Sequence, residues 1–336
     1  MEPAAQPKQR YAFLTLPNYS LIAVSNALEP LRMANRIAGQ ELYEWFIVNL
    51  DGGAVKSSSG LELLPTHALD KIGAPDIVFV CGGVNVRDAV SPPLTGALRR
   101  LAGPATFTVV LQDPRTGTGT ADLIWVPQHD TLRGGNVITT LTSAHSFPKA
   151  RIAQLRAQMP PAIAQLPGPR VTVILGGTGG GYEFADADIA RLAAALASLA
   201  ALGVSFMITP SRRTPAPLLE AVEVATAARP RILWRGDGDN PYPHFLAHAD
   251  MLVVTADSVN MTGEACATGR PVYVFRPSRE TPKFGRFHAA LREAGATRLL
   301  PDRVDRLETW TYELPDAAEV IANEIEKRWL ARQGAR

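Results

Sequence analysis

Short apolar runs, each followed by small or polar residues and then by a segment with helical spacing, recur along the second half of the chain. The runs are too short for helices and do not alternate between apolar and polar positions, which is typical of strands buried on both faces of a parallel sheet. Five of them are predicted as strands, at residues 171–175, 204–208, 231–234, 251–254 and 272–275. Repeated strand–helix units of this size predict a doubly wound α/β domain with right-handed crossovers.

The stretch 251–275 is the centre of this prediction. An apolar strand ends at a small polar loop, and a short helix follows with Asp257 or Ser258 as its N-cap. In open α/β sheets, ligands bind outside the carboxyl ends of the strands, where helix N-termini attract anions. Four polar side chains are therefore placed to meet a ligand: Asp257, Ser258, Asn260 and Glu264. An ordinary N-cap followed by a solvated glutamate fits the spacing equally well.

The first half of the chain carries the same kind of pattern. Strands are predicted at 11–16, 45–50, 76–81, 106–111 and 123–126, and helices at 20–38, 94–102 and 151–166. The sequence "LPGPR" after the last of these helices is the clearest linker in the chain. We predict four segments: a loose N-terminus at 1–10, an N-terminal Rossmann-like domain at 11–150, a helix and linker at 151–169, and a C-terminal Rossmann-like domain at 170–336, which a helix at 316–333 closes.

A glycine-rich loop, "GGTGGG" at residues 176–181, directly follows one predicted strand and precedes a helix. In this context glycines let the backbone approach phosphate oxygens, and a helix N-terminus favours them. The spacing matches neither a dinucleotide fingerprint nor a Walker loop, and a tight turn explains it as well.

Two further polar loops follow the next strands, "SRRTP" at 211–215 and "DGDNPY" at 237–242. Adjacent arginines beside hydroxyl groups offer bidentate recognition of an anion, whereas solvated arginines and an ordinary turn are the alternatives. Because the carboxyl ends of parallel strands meet at one edge, a single pocket for an anionic, hydroxyl-rich ligand accounts for all these loops. The predicted ligand-binding residues are Gly176, Gly177, Thr178, Gly179, Ser211, Arg212, Asn240, Ser258, Asn260 and Glu264.

Composition narrows the class of protein without identifying the chemistry. The 336 residues are 46% hydrophobic and 20% charged, with a net charge of +2, so the chain can form two cores and shows no charge excess that favours nucleic acid. The two cysteines, Cys81 and Cys266, lie far apart in or beside apolar segments, which favours reduced thiols. No apolar run approaches bilayer length, and the N-terminus has no signal core. We expect a soluble cytoplasmic protein, and the Ala- and Arg-rich composition favours a bacterial one.

Other candidate chemistry is sparse. His244 and His248 stand one helical turn apart without acidic or thiolate partners in register, so neither a metal nor a cofactor is predicted. No Ser–His–Asp set or nucleophile elbow can be assembled, so the catalytic residues stay unknown. A basic cluster could bind a diphosphate or an acidic membrane surface, or form a solvated helical face. Its members are Arg276, Arg279, Lys283, Arg286 and His288.

Longer strings resemble a known family from about residue 105 to residue 336. They are "FTVVLQDPRTGTGTADLIWVPQHDTLRGGNVITTL", "VILGGTGGGY", "TPSRRTP", "NPYPHFLAHADMLVVTADSVNMTGEACATGRPVYVF" and "KFGRFHAAL". Together they resemble the ELM (elongated mitochondria) mitochondrial-fission family, which in turn resembles glycosyltransferases of the GT-B type. The resemblance implies two Rossmann-like domains in a GT-B-like arrangement. It also implies a pocket for a nucleotide sugar, in which Glu264 of "GEACATGRP" would bind the ribose.

Residues 10–102 resemble a different family. The strings "FLTLPNYSLIAVSNALEPLRMANRIAG", "YEWFIVNLDGGAVKSSSGLELLP" and "PDIVFVCGGVNVRDAVSPPLTGALRRLA" are similar to the PfpI-type, amidotransferase-like sensor domain of GlxA-type AraC transcription regulators. The strand and elbow with that family's central cysteine position do not follow, and neither does a helix-turn-helix domain. The resemblance implies a composite N-terminal domain with a join near residue 103.

The residues leave three functional hypotheses open. The first is a GT-B-like protein that binds a nucleotide or nucleotide sugar, with glycosyl transfer as its activity if it is an enzyme. The second is a non-catalytic adaptor that recruits a membrane-surface or division partner. The third is part of a ligand-sensing transcription regulator, against which the lack of a recognisable DNA-binding module argues.

Overall fold

The structure is a computed structural model that describes residues 8–65, 67–83, 85–101, 106–115, 117–179, 182–279 and 281–334. Residues 1–7 of the predicted loose N-terminus, residues 102–105 around the predicted join, and Gly180 and Gly181 lie outside the described residues. The contacts divide the chain into two units, and the second is Leu141–Ala318. The first unit holds the described residues on either side of that segment. The predicted α/β class with parallel sheets is confirmed.

The first unit is built on a sheet whose strands follow the apolar runs of the sequence. Its elements are β1 (Gln9–Thr15), α1 (Leu21–Ala38), β2 (Tyr43–Asn49), β3 (Val55–Lys56), β4 (Glu62–Leu63), β5 (His67–Ala68), β6 (Ile77–Cys81), α2 (Val86–Ala89), α3 (Pro92–Leu101), β7 (Phe107–Leu111), β8 (Leu123–Pro127) and β9 (Val137–Thr140). The sheet order is β5-β2-β1-β6-β7-β8-β9, and all neighbours are parallel. Every residue of β6 and β8 is buried, as their unbroken apolar sequences require.

The second unit repeats this architecture on a smaller sheet. Its elements are α4 (Lys149–Arg156), α5 (Pro161–Ala164), β10 (Arg170–Leu175), α6 (Asp186–Ala201), β11 (Ser205–Pro210), α7 (Ala216–Thr226), β12 (Arg231–Leu233), α8 (Tyr242–Ala247), β13 (Met251–Thr255), α9 (Val259–Cys266), β14 (Val272–Phe275), α10 (Pro282–Glu293) and β15 (Thr297–Leu299). The strands pair in parallel in the order β12-β11-β10-β13-β14-β15.

Each central strand of the second sheet contributes to two apolar cores. In β13, Leu252 and Val254 enter one buried cluster, and Met251 and Val253 enter another. Successive strand residues face opposite sides of a sheet, so a strand covered by helices on both faces must be apolar at every position. This is why the sequence shows continuous apolar runs rather than alternation.

The contacts draw the unit boundaries differently from the predicted domains. Helices α4 and α5, predicted as a linker segment, belong to the second unit, because Ile152 and Ile163 are buried in the same cluster as Leu252. The last helix, α11 (Ala317–Gly334), leads back to the first unit, to which its residues from Glu319 onward belong.

Trp329 packs α11 against the first unit. Its side chain is 6% exposed and its ring meets that of Phe107 edge-on, with centroids 6.3 Å apart. In the next turn, Arg332 Nη1 donates to Oδ1 of Asp122 at 2.8 Å. A buried aromatic side chain contributes more than a partly exposed ion pair, so Trp329 is the main anchor.

We expect Trp329→Ala to lower the free energy of unfolding by about 3–5 kcal/mol, because it removes a large buried side chain and leaves a cavity. Leu330, its neighbour, is 56% exposed, and Leu330→Ala should change the same quantity by less than about 0.5 kcal/mol. Urea unfolding of the full-length variants measures both. Equal effects of the two substitutions would contradict the proposed anchor.

Candidate functional site

The carboxyl edge of the second sheet contains a topological switch point. After β10 the chain adds β11 and β12 on one side, and it then crosses to add β13, β14 and β15 on the other side. Connections that leave adjacent strands in opposite directions open a crevice at the carboxyl ends of those strands. The loops after β10 and β13 meet there, and they contain the predicted residues from Gly176 to Gly179 and Ser258.

Asp257 joins these two loops with its carboxylate. Its buried side chain accepts a hydrogen bond from the Gly177 N–H at 2.8 Å through Oδ2. Its Oδ1 accepts from the hydroxyl of Thr255 at 2.7 Å, and that hydroxyl oxygen accepts from the Gly176 N–H at 2.7 Å. Two backbone amides of the glycine loop are therefore held by the loop on the opposite side of the switch point.

Close contacts with neighbouring atoms explain why the first two positions of the loop, Gly176 and Gly177, are glycines. A Cβ added at Gly176 would lie 1.9 Å from Oδ2 of Asp257, and one at Gly177 would lie 2.0 Å from the carbonyl oxygen of Arg213. Neither position has room for a side chain. The N–H groups of both glycines are already engaged inside the protein. Thr178, which is exposed, and Gly179 are the described loop residues that lie beyond this network.

The loop after β11 closes over the same glycines. The Thr214 hydroxyl donates to the Gly176 carbonyl oxygen at 2.6 Å and accepts from the Ser211 N–H at 2.8 Å. Arg213 extends over the glycine loop: its Nη2 is 4.0 Å from Oδ2 of Asp257, and a Cβ at Gly179 would lie 2.6 Å from its Nη1. Arg213, rather than the predicted Arg212, thus places its guanidinium against this loop.

Burial governs the electrostatics of Asp257. Loss of hydration raises the pKa of its carboxyl group above the usual 3.8, while hydrogen bonds from Thr255 and Gly177 and the charge of Arg213 oppose the rise. Arg213 is more than half exposed, so solvent screens most of its attraction. The carboxylate is therefore held mainly by its hydrogen bonds.

Glu264 forms a second polar centre on the same unit. Ser258 caps α9 by accepting the Met261 N–H at 3.3 Å, as predicted, and Glu264 lies in the second turn of that helix. Glu264 is 8% exposed, and its Oε2 accepts the Tyr242 hydroxyl at 2.6 Å. Asn240 Oδ1 accepts the Tyr242 N–H at 3.0 Å, so Tyr242 connects two of the predicted residues.

Burial also shifts the pKa values of Glu264 and Tyr242. It raises the pKa of Glu264, against the opposing effects of the Tyr242 hydroxyl and the charge of Arg151. It raises the pKa of Tyr242 well above 10, and the charge of Glu264 adds to that shift. Tyr242 consequently stays a hydroxyl donor, and Glu264 is its acceptor.

The predicted residues thus fall into two hydrogen-bonded groups. The first group joins Gly176 and Gly177 to the loop that holds Ser211, and the second joins Glu264 to Asn240 through Tyr242. Arg212 and Asn260 are exposed, and within the described chain their side chains form no hydrogen bond to either group.

Five residues of these groups are absent from the predicted set: Thr255, Asp257, Arg213, Thr214 and Tyr242. The sequence pattern places Asp257 either to meet a ligand or to cap a helix, and it gives no signal for its hydrogen bond to the Gly177 N–H. Adjacent arginines in a loop give no signal that separates Arg213 from Arg212. Tyr242 stands in the "DGDNPY" loop that drew attention for its polar residues.

Other residues that the sequence analysis considered, in the basic cluster and at the two cysteines, make contacts within the protein or are buried in it. His288 of the predicted basic cluster is 1% exposed, and its Nε2 lies 2.8 Å from the carbonyl oxygen of Ala256, so it does not belong to a solvated basic face. Arg279 pairs with Glu183 at 3.3 Å. Cys81 and Cys266 are buried free thiols, and burial raises the pKa of Cys81 to about 12.

Within residues 8–334 and outside their gaps, no group of three or more His, Cys, Asp or Glu side chains is assembled to hold a metal ion. Among the described helices, none combines the length and the apolar character that crossing a bilayer requires.

Two Rossmann-like units with parallel sheets define a GT-B-like α/β protein, as predicted. The UDP-GlcNAc 2-epimerase of Methanocaldococcus jannaschii shares this fold, with a TM-score of 0.55 at 11% identity over 95% of this chain and 99% of the epimerase. The sequence places the chain more narrowly. The family described as Mitochondrial fission ELM1 matches residues 19–329, and the chain belongs to this family.

Two relatives match the chain over different lengths. Mitochondrial fission protein ELM1 of Arabidopsis thaliana is 31% identical over 326 residues, which cover 87% of this chain and 74% of the relative. The HTH-type transcriptional regulator GlxA of Rhizobium meliloti is 38% identical over 95 residues, 28% of this chain and 29% of the regulator. Both resemblances stated from the sequence are confirmed, the second over part of the chain only.

The raised pKa of Asp257 predicts a pH dependence of stability. A carboxyl group with a higher pKa in the folded state than in the unfolded state binds its proton more tightly when folded, so its contribution to stability falls as pH rises through the folded pKa. Between about pH 4 and about pH 7, the wild-type protein should lose more unfolding free energy than Asp257→Asn, which lacks the titrating group. Urea unfolding at each pH tests this, and parallel pH profiles would contradict it.

Proposed function

We propose that the second unit binds a nucleotide sugar, or a similar anionic and hydroxyl-rich ligand, at the carboxyl edge of its sheet. The observation that carries the proposal is the buried carboxylate of Glu264, which the Tyr242 hydroxyl holds on the helix after the switch-point strand. Glycosyl transfer is the reaction class to which such a donor site is suited.

The acceptor capacity of Glu264 supports its role with a ribose. Among the described residues, Tyr242 is the one hydrogen-bond donor to this carboxylate. An ionised carboxylate can accept several hydrogen bonds, so it retains sites for the two hydroxyl donors of a ribose. A partly unsatisfied buried carboxylate is costly for the fold alone, and a ligand that donates to it offsets that cost.

The anionic part of the ligand is assigned to the loops after β10 and β11. Arg213 brings a guanidinium to the glycine loop, and Thr178 and Ser211 add hydroxyl groups there. Gly176 and Gly177 shape this loop in the proposal, because Asp257 and Thr255 already occupy their amides. Ser258, Asn240 and Asn260 complete the set as donors or acceptors for ligand hydroxyls or phosphate.

The comparisons support the proposal at the level of fold. The structural neighbour from Methanocaldococcus jannaschii is a UDP-GlcNAc 2-epimerase, which makes UDP-GlcNAc the first ligand to test. GDP sugars and ADP sugars follow, because the fold does not select the base.

We expect Glu264→Gln to weaken UDP-GlcNAc binding about 10- to 100-fold, because it replaces a charged acceptor by a neutral one of the same shape. Glutamine can still accept the Tyr242 hydroxyl, which preserves the local fold. Glu220→Gln, at an exposed position of α7, serves as the matched control and should not change the affinity. Isothermal titration calorimetry measures both. An intact protein that binds no UDP, GDP or ADP sugar would refute the proposal.

The adjacent arginines give a second test of the same site. Arg213→Gln should weaken nucleotide-sugar binding about tenfold or more, because its guanidinium lies against the glycine loop. Arg212→Gln should weaken it less than about threefold, since this exposed side chain has no bond to the loop within the described residues. A larger effect of Arg212→Gln would assign the anion to Arg212 instead, as the sequence alone suggested.

A further inference from the structure

The first unit contains a cavity of about 280 Å³ outside the carboxyl ends of its central strands. Its wall is largely apolar and comes from β6, β7 and α3, with Val80, Leu94, Leu98 and Val110 among the lining residues. All four are buried parts of the core of the unit. The cavity thus continues the core toward the surface as an apolar chamber.

The cavity lies at the switch point of the first sheet. The chain passes from β1 to β2 on one side and later returns to add β6 and β7 on the other side of β1. Leu16, directly after β1, and Gly82 and Gly83, directly after β6, line the cavity, as expected for the crevice between diverging connections.

The backbone around this cavity is held in demanding conformations. A Cβ at Gly83 would lie 2.0 Å from the carbonyl oxygen of Asn18, so the loops after β1 and β6 are in direct contact. After β7, Gln112 and Arg115 adopt positive φ values of 87° and 59°. Non-glycine residues rarely adopt such conformations, and those that do concentrate at ligand-binding sites.

The polar rim of the cavity is unbalanced in charge. Asp113 lines the rim, but Arg115 pairs with it at 3.1 Å and neutralises it. Arg99, an exposed residue in the last turn of α3, also lines the cavity, and no ion pair joins it to another side chain of the described chain. The chamber therefore combines an apolar interior with one uncompensated guanidinium.

We propose that this cavity binds a small monocarboxylic acid with an aliphatic body, whose carboxylate pairs with Arg99. The volume corresponds to roughly nine water molecules, which fits an acid of about six carbon atoms. The guanidinium fork matches a carboxylate, and the apolar wall covers the aliphatic chain. The site belongs to the first unit and stands whether or not the second unit binds a nucleotide sugar.

Calorimetry of the full-length protein with hexanoate and 1-hexanol tests the proposal, because the two probes share an apolar chain and differ in charge. We expect hexanoate to bind at least about tenfold more tightly than 1-hexanol, as an ion pair with Arg99 requires. Arg99→Gln should remove this preference. Arg100→Gln, at the adjacent exposed arginine, which does not line the cavity, should keep it.

A substitution that fills the cavity provides an independent test of the proposed site. Val90 lines the cavity, and Val90→Trp should abolish hexanoate binding while circular dichroism shows an intact fold. If that variant does not fold, the pair Arg99→Gln and Arg100→Gln decides the matter. Failure of hexanoate to bind at about 10 mM, equal affinity for 1-hexanol, or equal effects of the two arginine substitutions would each overturn the proposal.

Discussion

The structure of the carboxyl edge of the second sheet depends on the hydrogen bonds that the Asp257 carboxylate accepts. Parallel sheets of this kind leave a gap where the chain reverses its direction of growth, and a fully buried side chain spans that gap by accepting the Gly177 amide and the Thr255 hydroxyl. A charged acceptor makes stronger hydrogen bonds than a neutral one, which offsets part of the cost of its lost hydration. The positions of the glycine loop and of the cap of α9 both follow from this contact.

This arrangement changes the role of the glycines. A glycine-rich loop after a buried strand is usually explained by the approach of a phosphate, but here Gly176 is needed because a carboxylate of the same chain lies where a Cβ would stand. At the start of the loop, glycine is required because the surrounding atoms of the protein leave no room for a side chain at Gly176 or Gly177. In the proposed site, contact with the ligand falls to residues farther along the loop and to Arg213 of the neighbouring loop.

Local patterns were sufficient to predict the longer strands and a helix cap at Asp257 or Ser258, because each depends on residues close together in sequence. The parallel sheets were predicted from the repeated order of strands and helices. The contacts of Asp257 and Tyr242 join positions far apart in the chain, so spacing alone did not reveal them. The choice between Arg212 and Arg213 depends on side-chain direction in a loop, for which no periodicity exists. Likewise, no local signal in α11 says that Trp329 packs beside Phe107.

The return of α11 has a consequence for biosynthesis. The first unit is discontinuous in sequence, and the whole segment Leu141–Ala318 must be synthesised before Trp329 is made. At ordinary translation speeds that delay is on the order of ten seconds or more, during which the surface beside Phe107 lacks its covering helix. Until Trp329 has been made, the nascent first unit therefore leaves the apolar surface beside Phe107 uncovered by this side chain.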